Sequence, residues 1–263
     1  MVPRIAGSTY LNSAPLCYSF QRGNQSQLCQ FLGHTAPARC AEMLSSNETD
    51  AALIPVIEYQ RIPNLLVVPN IAVASKRTVE SVVLASRVPI ENVRSVALDA
   101  SSRTTATLIQ VIFRKFYNFS PPFTSTAPSL IEMLETNDAA IIIGDPAMVI
   151  DRSALHVYDM AAEWRTHTGL PFVFAFWAVR ADAVDKLGSI DFLAAKKEGL
   201  AFRSVLAKEQ AESLGRPAEE LLTYLTENIN YDLDRENLEG LSLYYKLAAE
   251  CGLIDSARDL QFV

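Results

Sequence analysis

The residues best suited to chemistry fall in four short polar clusters, each at one end of an apolar run. Tyr10 and Asn12-Ser13 close the first run, and Ser81 opens another that ends at Ser86. Asp99-Ala100-Ser101-Ser102-Arg103-Thr104-Thr105 places hydroxyls and a guanidinium ahead of a helix pattern, and Ile141-Ile142-Ile143 stops at Gly144-Asp145. Hydroxyls and unpaired N–H groups at the positive end of a helix can hold a carboxylate without a cluster of basic residues, so binding of a small anion is the chemistry indicated. The cluster at 99–105 carries the strongest form of that signal. Three of the clusters also have a plainer reading as a helix start: Asn12 and Ser13 are good N-caps with Pro15 just inside, 99–105 can be an over-polar first turn, and capping is the first assignment for Asp145. Gly144 would let backbone approach a ligand.

Composition narrows the classes of function. With 263 residues, 49% of them hydrophobic, the chain can bury a full core and accommodate two modest domains. A formal charge of −7 with scattered basic residues lacks the footprint of a nucleic-acid or anionic-membrane binder. No apolar run approaches the ~20 residues of a membrane span and no basic stretch precedes an apolar signal core, which predicts a cytoplasmic location. Cys17, Cys29, Cys40 and Cys251 show no CxxC spacing and read as reduced structural thiols. Only three histidines occur, none in a metal-binding arrangement, and the dinucleotide, phosphate-loop and serine-hydrolase motifs are missing. No metal and no cofactor are therefore expected.

The elements that must carry the clusters alternate. Strand patterns at 4–9, 27–31, 51–54, 65–68, 93–98 and 139–143 are separated by helix patterns, two of which have Pro37 and Pro128 in the first turn. The longest central helix follows Ser101-Ser102, with Leu108, Ile109, Ile112, Phe113 and Phe116 on one face. Segments 79–85 and 172–179 break the alternation, and the unit between them has a strand-helix pattern of its own. The expected fold is α/β: a two-lobed clamshell with two crossover strands, one lobe made of 1–82 and 179–263 and the other of 83–178, with ligand between them at the carboxyl ends of strands. A single doubly wound sheet has the same periodicity. Beyond Arg180 the pattern is helical, over 181–213 with breaks near Gly188 and Gly199, then 217–227 and 238–251 ahead of Gly252, and these helices are expected to cover the first lobe. The aromatic alternation Phe172, Phe174, Phe176, Trp177 is expected in the core with one ring facing the cleft. Asp50 and Glu58 are read as structural.

Taken in order, Tyr10-Leu11-Asn12 with Pro15-Leu16, Asp50-Ala51-Ala52-Leu53-Ile54-Pro55, Ser81-Val82, Ser101-Ser102-Arg103-Thr104, Ile143-Gly144-Asp145-Pro146-Ala147 and Thr168-Gly169-Leu170-Pro171-Phe172-Val173-Phe174-Ala175 resemble the motifs of the chorismate dehydratases of the futalosine route to menaquinone. The resemblance spans roughly residues 4–180, and the C-terminal third matches no motif. It implies a type II periplasmic-binding-protein-like clamshell acting as an enzyme on a dianion, chorismate, with handoff of product to the next enzyme of the route. It further implies Asn12 and Ser81 as the catalytic pair, and Tyr10, Ser101, Ser102, Arg103, Thr104, Thr105, Gly144 and Asp145 as substrate-binding residues. Thr105 departs from an expected serine but keeps a hydroxyl. The alternatives are a solute-binding protein of the same fold without chemistry, and another menaquinone-pathway enzyme acting on a related aromatic carboxylate.

Overall fold

The apolar run ahead of Tyr10 is strand β1 (Arg4–Ser8), its Ile5 and Ala6 fully buried, and it leads into helix α1 (Ala14–Gln21). The computed structural model describes residues 2–263. Continuing along the chain are β2 (Gln30–His34), α2 (Pro37–Ser45), β3 (Ala51–Pro55), α3 (Val56–Arg61) and β4 (Leu65–Ser75). These strands build a first sheet in the order β2-β1-β3-β10-β4, in which β10 (Phe172–Arg180) returns from far along the sequence. Between them lie β5 (Val82–Ser86), β6 (Val96–Asp99), α4 (Arg103–Lys115), β7 (Phe123–Thr126), α5 (Leu130–Thr136), β8 (Ala139–Ile143), α6 (Asp145–Met148), β9 (His156–Asp159) and α7 (Met160–Thr168). Their strands form a second sheet, β7-β6-β8-β5-β9.

The two sheets repeat one plan. In each, three parallel strands, β2-β1-β3 or β7-β6-β8, are followed by an antiparallel strand that is the first one laid down after the chain arrives from the other sheet. The expected crossovers are refined by this pairing. β5 pairs throughout with β8 and β9, and β10 throughout with β3 and β4, so neither strand spans both sheets. The chain crosses instead at 76–81 and 169–171, which places 172–178 with the first sheet. A single continuous sheet is excluded.

The strand pattern at 27–31 gives way to β2 at Gln30–His34, and β4 runs on from the expected 65–68 to Ser75 because Ile71, Ala72, Val73 and Ala74 pack inside. Strands β7 and β9 had no sequence signal: Phe123–Thr126 and His156–Asp159 are polar, half-exposed edge strands without an apolar run. The three cysteines in the first sheet's layer, Cys17, Cys29 and Cys40, are free and buried, and burial pushes the Cys40 thiol up to about 12, so they serve as packing.

The C-terminal region is helical as expected: α8 (Phe192–Ala201), α9 (Arg203–Leu214), α10 (Ala218–Thr223), a π turn at Tyr224–Asn228, and α11 (Arg235–Glu250), after which Gly252 takes a left-handed φ of 67°. These helices do not cover the first lobe alone. From α11, Tyr244 donates a hydrogen bond to the Thr104 carbonyl in the second lobe, and Tyr245 donates to Val56 in the first. The break expected near Gly199 falls three residues on, at Phe202 between α8 and α9, and Gly199 itself is helical. It lies inside α8 where that helix crosses α1, and a Cβ there would fall 1.7 Å from the Pro15 carbonyl oxygen. A side chain would have to push two backbones apart, so Gly199→Ala should lower unfolding stability by about 3 kcal/mol in urea titrations; wild-type stability would mean that α8 and α1 can separate at no cost.

Candidate functional site

Parallel strands followed by helices bring their carboxyl ends to a common edge, and here the edges of the two sheets face each other. Between them is a cavity that draws its lining from both lobes. Its polar wall comes from the end of β1 with Ser8, Tyr10, Asn12 and Ser13, from the start of α4 with Ser102, Thr104 and Thr105, and from Gly144. Leu53, Val73, Val82, Ile143 and Phe174 supply the apolar wall, Phe174 being the aromatic ring expected to face the cleft. Lysine, arginine, histidine and acidic residues do not line it.

Helix α4 supplies what an anion needs. The N–H groups of Arg103, Thr104 and Thr105 donate to no protein acceptor, as expected of a helix N-terminus, and Ser102 at the N-cap position leaves its hydroxyl uncommitted to capping. The turn after β1 is different. Leu11, Ser13, Ala14 and Leu16 all spend their N–H groups within the protein, which leaves the Asn12 N–H as the turn's backbone donor without a protein acceptor. Ser13 occupies the N-cap position of α1, yet its hydroxyl donates to Asn12 Oδ1 at 2.9 Å instead of capping. That bond orients the Asn12 amide in the cavity wall.

Several expected binding residues lie outside the lining. Arg103 turns away from the cavity and pairs with Glu58 at 2.7 Å and Glu42 at 2.6 Å across the cleft, so that the almost fully buried Glu58 carboxylate sits between Arg103 and Arg61. Glu58 is structural as read from the sequence, and so is Asp50, buried and paired with Lys186. Ser101 donates both N–H and Oγ to Asp99 Oδ1, and Ser86 closes a turn onto the Val88 carbonyl. Ser81 is fully buried immediately behind the lining residue Val82, its Oγ accepting from the Tyr224 hydroxyl at 2.7 Å. Asp145 is not the cap of α6. Gly144, with a φ of 66°, holds that position, and Asp145 Oδ1 accepts the Leu11 N–H at 2.9 Å from the opposite lobe.

The lobes are thus linked across the cleft by Asp145 on Leu11 and by Arg103 on Glu42 and Glu58. Tyr10 seats its ring on Gly144, where a Cβ would lie 2.6 Å from the ring, so glycine is required on both steric and conformational grounds. Burial and the nearby Asp99 carboxylate raise the Tyr10 phenol above its ordinary value, with Ser101 opposing. Burial likewise raises Asp99, one of whose oxygens is buried without a partner, and raises Asp145 against the opposing Leu11 bond. Among the described residues no cluster of three or more His, Cys, Asp or Glu side chains could hold a metal, and no helix is long and apolar enough to cross a membrane.

The sequence model of a family described as menaquinone biosynthesis matches residues 3–250. The chain belongs to this family. It is 27% identical to the chorismate dehydratase of Thermus thermophilus over 93% of this chain and 94% of that one. Among solved structures it resembles a protein from Archaeoglobus fulgidus, with a TM-score of 0.74, 16% identity, and coverage of 96% of this chain and 98% of the other. It also resembles the periplasmic aliphatic sulphonate-binding protein SsuA of Escherichia coli, with a TM-score of 0.65, 18% identity, and coverage of 98% and 95%. The fold of this menaquinone-biosynthesis family member is therefore that of the periplasmic binding proteins.

Sequence reasoning missed Ser8, Pro37, Pro55 and Val73 in the lining, and missed Tyr224 behind Ser81. Pro55 and Ser8 end strands and were within reach of the strand-end rule, whereas Val73 and Tyr224 had no signal. A carboxyl whose pKa folding raises binds its proton more firmly folded than unfolded, so stability falls as pH rises from the unfolded value of about 3.9 through the raised one. Asp145→Asn keeps an acceptor for the Leu11 N–H and removes that titration. Its unfolding free energy should decline less than wild type's between pH 4 and 7, and an identical pH slope would show that Asp145 does not titrate differently on folding.

Proposed function

We propose that this chain is a chorismate dehydratase, a hydro-lyase that removes water from chorismate to give 3-(1-carboxyvinyloxy)benzoate in menaquinone formation by the futalosine route. Membership of the menaquinone-biosynthesis family and the likeness to the Thermus thermophilus enzyme support the substrate. The observation that carries the chemistry is the cavity wall itself: hydroxyls, one amide and free helix N–H groups for carboxylates, apolar residues for a six-membered ring, and no group able to act as a base at neutral pH. Tyr10 is the one ionisable residue in that wall, and its raised pKa keeps it protonated.

Elimination breaks the C3–H and C4–O bonds of chorismate and releases the proton and hydroxide as water, while the ring becomes aromatic. The product is strongly favoured, so the barrier is what requires catalysis. Proton loss at C3 pushes charge into the ring carboxylate, where donors from Ser102, Thr105 and the first turn of α4 lower the barrier by stabilising it. With no protein base in the wall, the substrate's enolpyruvyl carboxylate takes the C3 proton, and the closed cleft fixes that geometry and excludes water. Asn12 donates through Nδ2 to the enolpyruvyl carboxylate or the departing hydroxyl, and Ser81, fully buried next to the lining residue Val82, is the second residue of the pair. Arg103 is left out of the binding set, its guanidinium being committed to two carboxylates across the cleft.

Incubating the pure protein with chorismate should give 3-(1-carboxyvinyloxy)benzoate, read by chromatography and by the ultraviolet change on aromatisation. Asn12→Ala should slow turnover by about a hundred-fold, the scale of losing one donor to developing charge. Chorismate bound and recovered unchanged would identify a binding protein in place of an enzyme, and a full rate in Asn12→Ala would remove that residue from the mechanism.

A further inference from the structure

The two residues assigned to the reacting groups are each held by a tyrosine from one short stretch of the C-terminal region. Tyr224 donates its phenolic hydrogen to Ser81 Oγ at 2.7 Å, and Tyr231 donates to the Asn12 carbonyl at 3.0 Å. Both rings are almost fully buried, and burial pushes both phenols far above their ordinary value, so both remain donors across the physiological range. An oxygen that accepts from a phenol keeps its own hydrogen free for a second partner, and consecutive O–H donors strengthen one another. The Tyr231 bond fixes the Asn12 peptide, and with Ser13 occupying Oδ1 the Nδ2 hydrogens are the free donors of that side chain.

The stretch that carries the tyrosines is built for position. Tyr224 opens the π turn, an uncommon local widening of a helix that is often found at functional sites. Beyond it, Asn230 exchanges two backbone hydrogen bonds with Ala74, and the Tyr231 carbonyl accepts from Ala72, which staples the stretch to the end of β4. On the other side of the crossing, Ser81 is fixed from several directions. Glu80 before it is left-handed at a φ of 61°, a costly conformation for a residue with a side chain, and Asp159 Oδ2 accepts the N–H groups of both Val79 and Glu80. Gly144 N–H donates to the Ser81 carbonyl at 2.7 Å. These contacts fix the backbone on both sides of Ser81, and the Tyr224 bond fixes its hydroxyl.

We infer that residues 224–231 belong to the working site, with Tyr224 and Tyr231 as positioning residues that aim the Ser81 hydroxyl and hold the Asn12 peptide. The inference rests on the dehydratase reading for what Ser81 and Asn12 do. Its test is a cycle of Tyr224→Phe, Ser81→Ala and the double variant, with Tyr231→Phe alongside, each measured for kcat, KM and thermal midpoint. Phenylalanine keeps the buried ring and removes only the hydroxyl.

Tyr224→Phe should lower kcat about ten-fold with KM within about two-fold, and should have no further effect once Ser81 is alanine. Tyr231→Phe should lower kcat and add its effect to that of Ser81→Ala, since it acts through Asn12. Equal losses from Tyr224→Phe with and without the Ser81 hydroxyl, or a lowered thermal midpoint with unchanged kcat per folded molecule, would overturn the inference. Calorimetric affinity for 3-(1-carboxyvinyloxy)benzoate on the same proteins separates the two proposals. Coupling of Tyr224 to Ser81 in binding, with no turnover by wild type, would sink the dehydratase reading and keep the tyrosine assignment, whereas absence of coupling in both readouts would sink the assignment.

Discussion

The chain passes between its two sheets twice, through short connections at 76–81 and 169–171, and the cavity exists because of that constraint. Two sheets joined in this way cannot drift apart, but neither can they merge, because the first strand after each crossing enters its new sheet antiparallel and closes off the parallel set. The carboxyl ends of β1, β3, β6 and β8 are left facing one another, and the polar residues that end those strands become opposite walls of one space. Contacts between the walls then decide whether the space is open or closed. The Asp145 bond to Leu11 and the Arg103 pairs with Glu42 and Glu58 hold it closed in this structure, and hinged closure of that kind is common among two-lobed binding folds.

Electrostatics divide the site into a neutral interior and a charged frame. Every arginine and glutamate that links the lobes lies outside the cavity, while the wall offers uncharged donors and the partial positive charge at the start of α4. A dianion entering such a space meets dipoles already oriented, with no long cationic side chain to be ordered on binding. Buried Asp99 and Asp145 stand just behind the wall, and burial makes both poorer acids than usual.

The helical C-terminal third is integrated with the cleft and is more than a cover for one lobe. Tyr244 and Tyr245 on α11 reach backbone carbonyls at Thr104 and Val56, one in each lobe, and Tyr224 and Tyr231 reach Ser81 and Asn12. Four phenols from one region thus stand at the junctions of the lobes. Each couples a large apolar ring, which stabilises the packing, to a single directional hydrogen bond.

Alternating apolar patterns, prolines in first turns and the ordered motifs were enough to read an α/β clamshell, its inserted lobe and the strand-end clusters from the sequence, because those features depend on neighbours a few residues apart. The same local signals identified Asn12, Ser102, Thr104, Thr105 and Gly144 as residues of one cleft. They could not say where a side chain would turn once the lobes met. Arg103 was drawn to Glu58, Ser101 to Asp99 and Asp145 to Leu11, and each choice depended on a partner supplied by folding. Gly199 marked a break that falls at Phe202, and only the approach of α1 shows why the residue itself carries no side chain. The sequence by itself determined which strand-end clusters gather around the cleft, since period and strand ends are local properties. Tertiary structure alone decided which of them face the ligand and which hold the lobes together, because a polar group buried at an interface takes the nearest complementary partner, however distant in the chain.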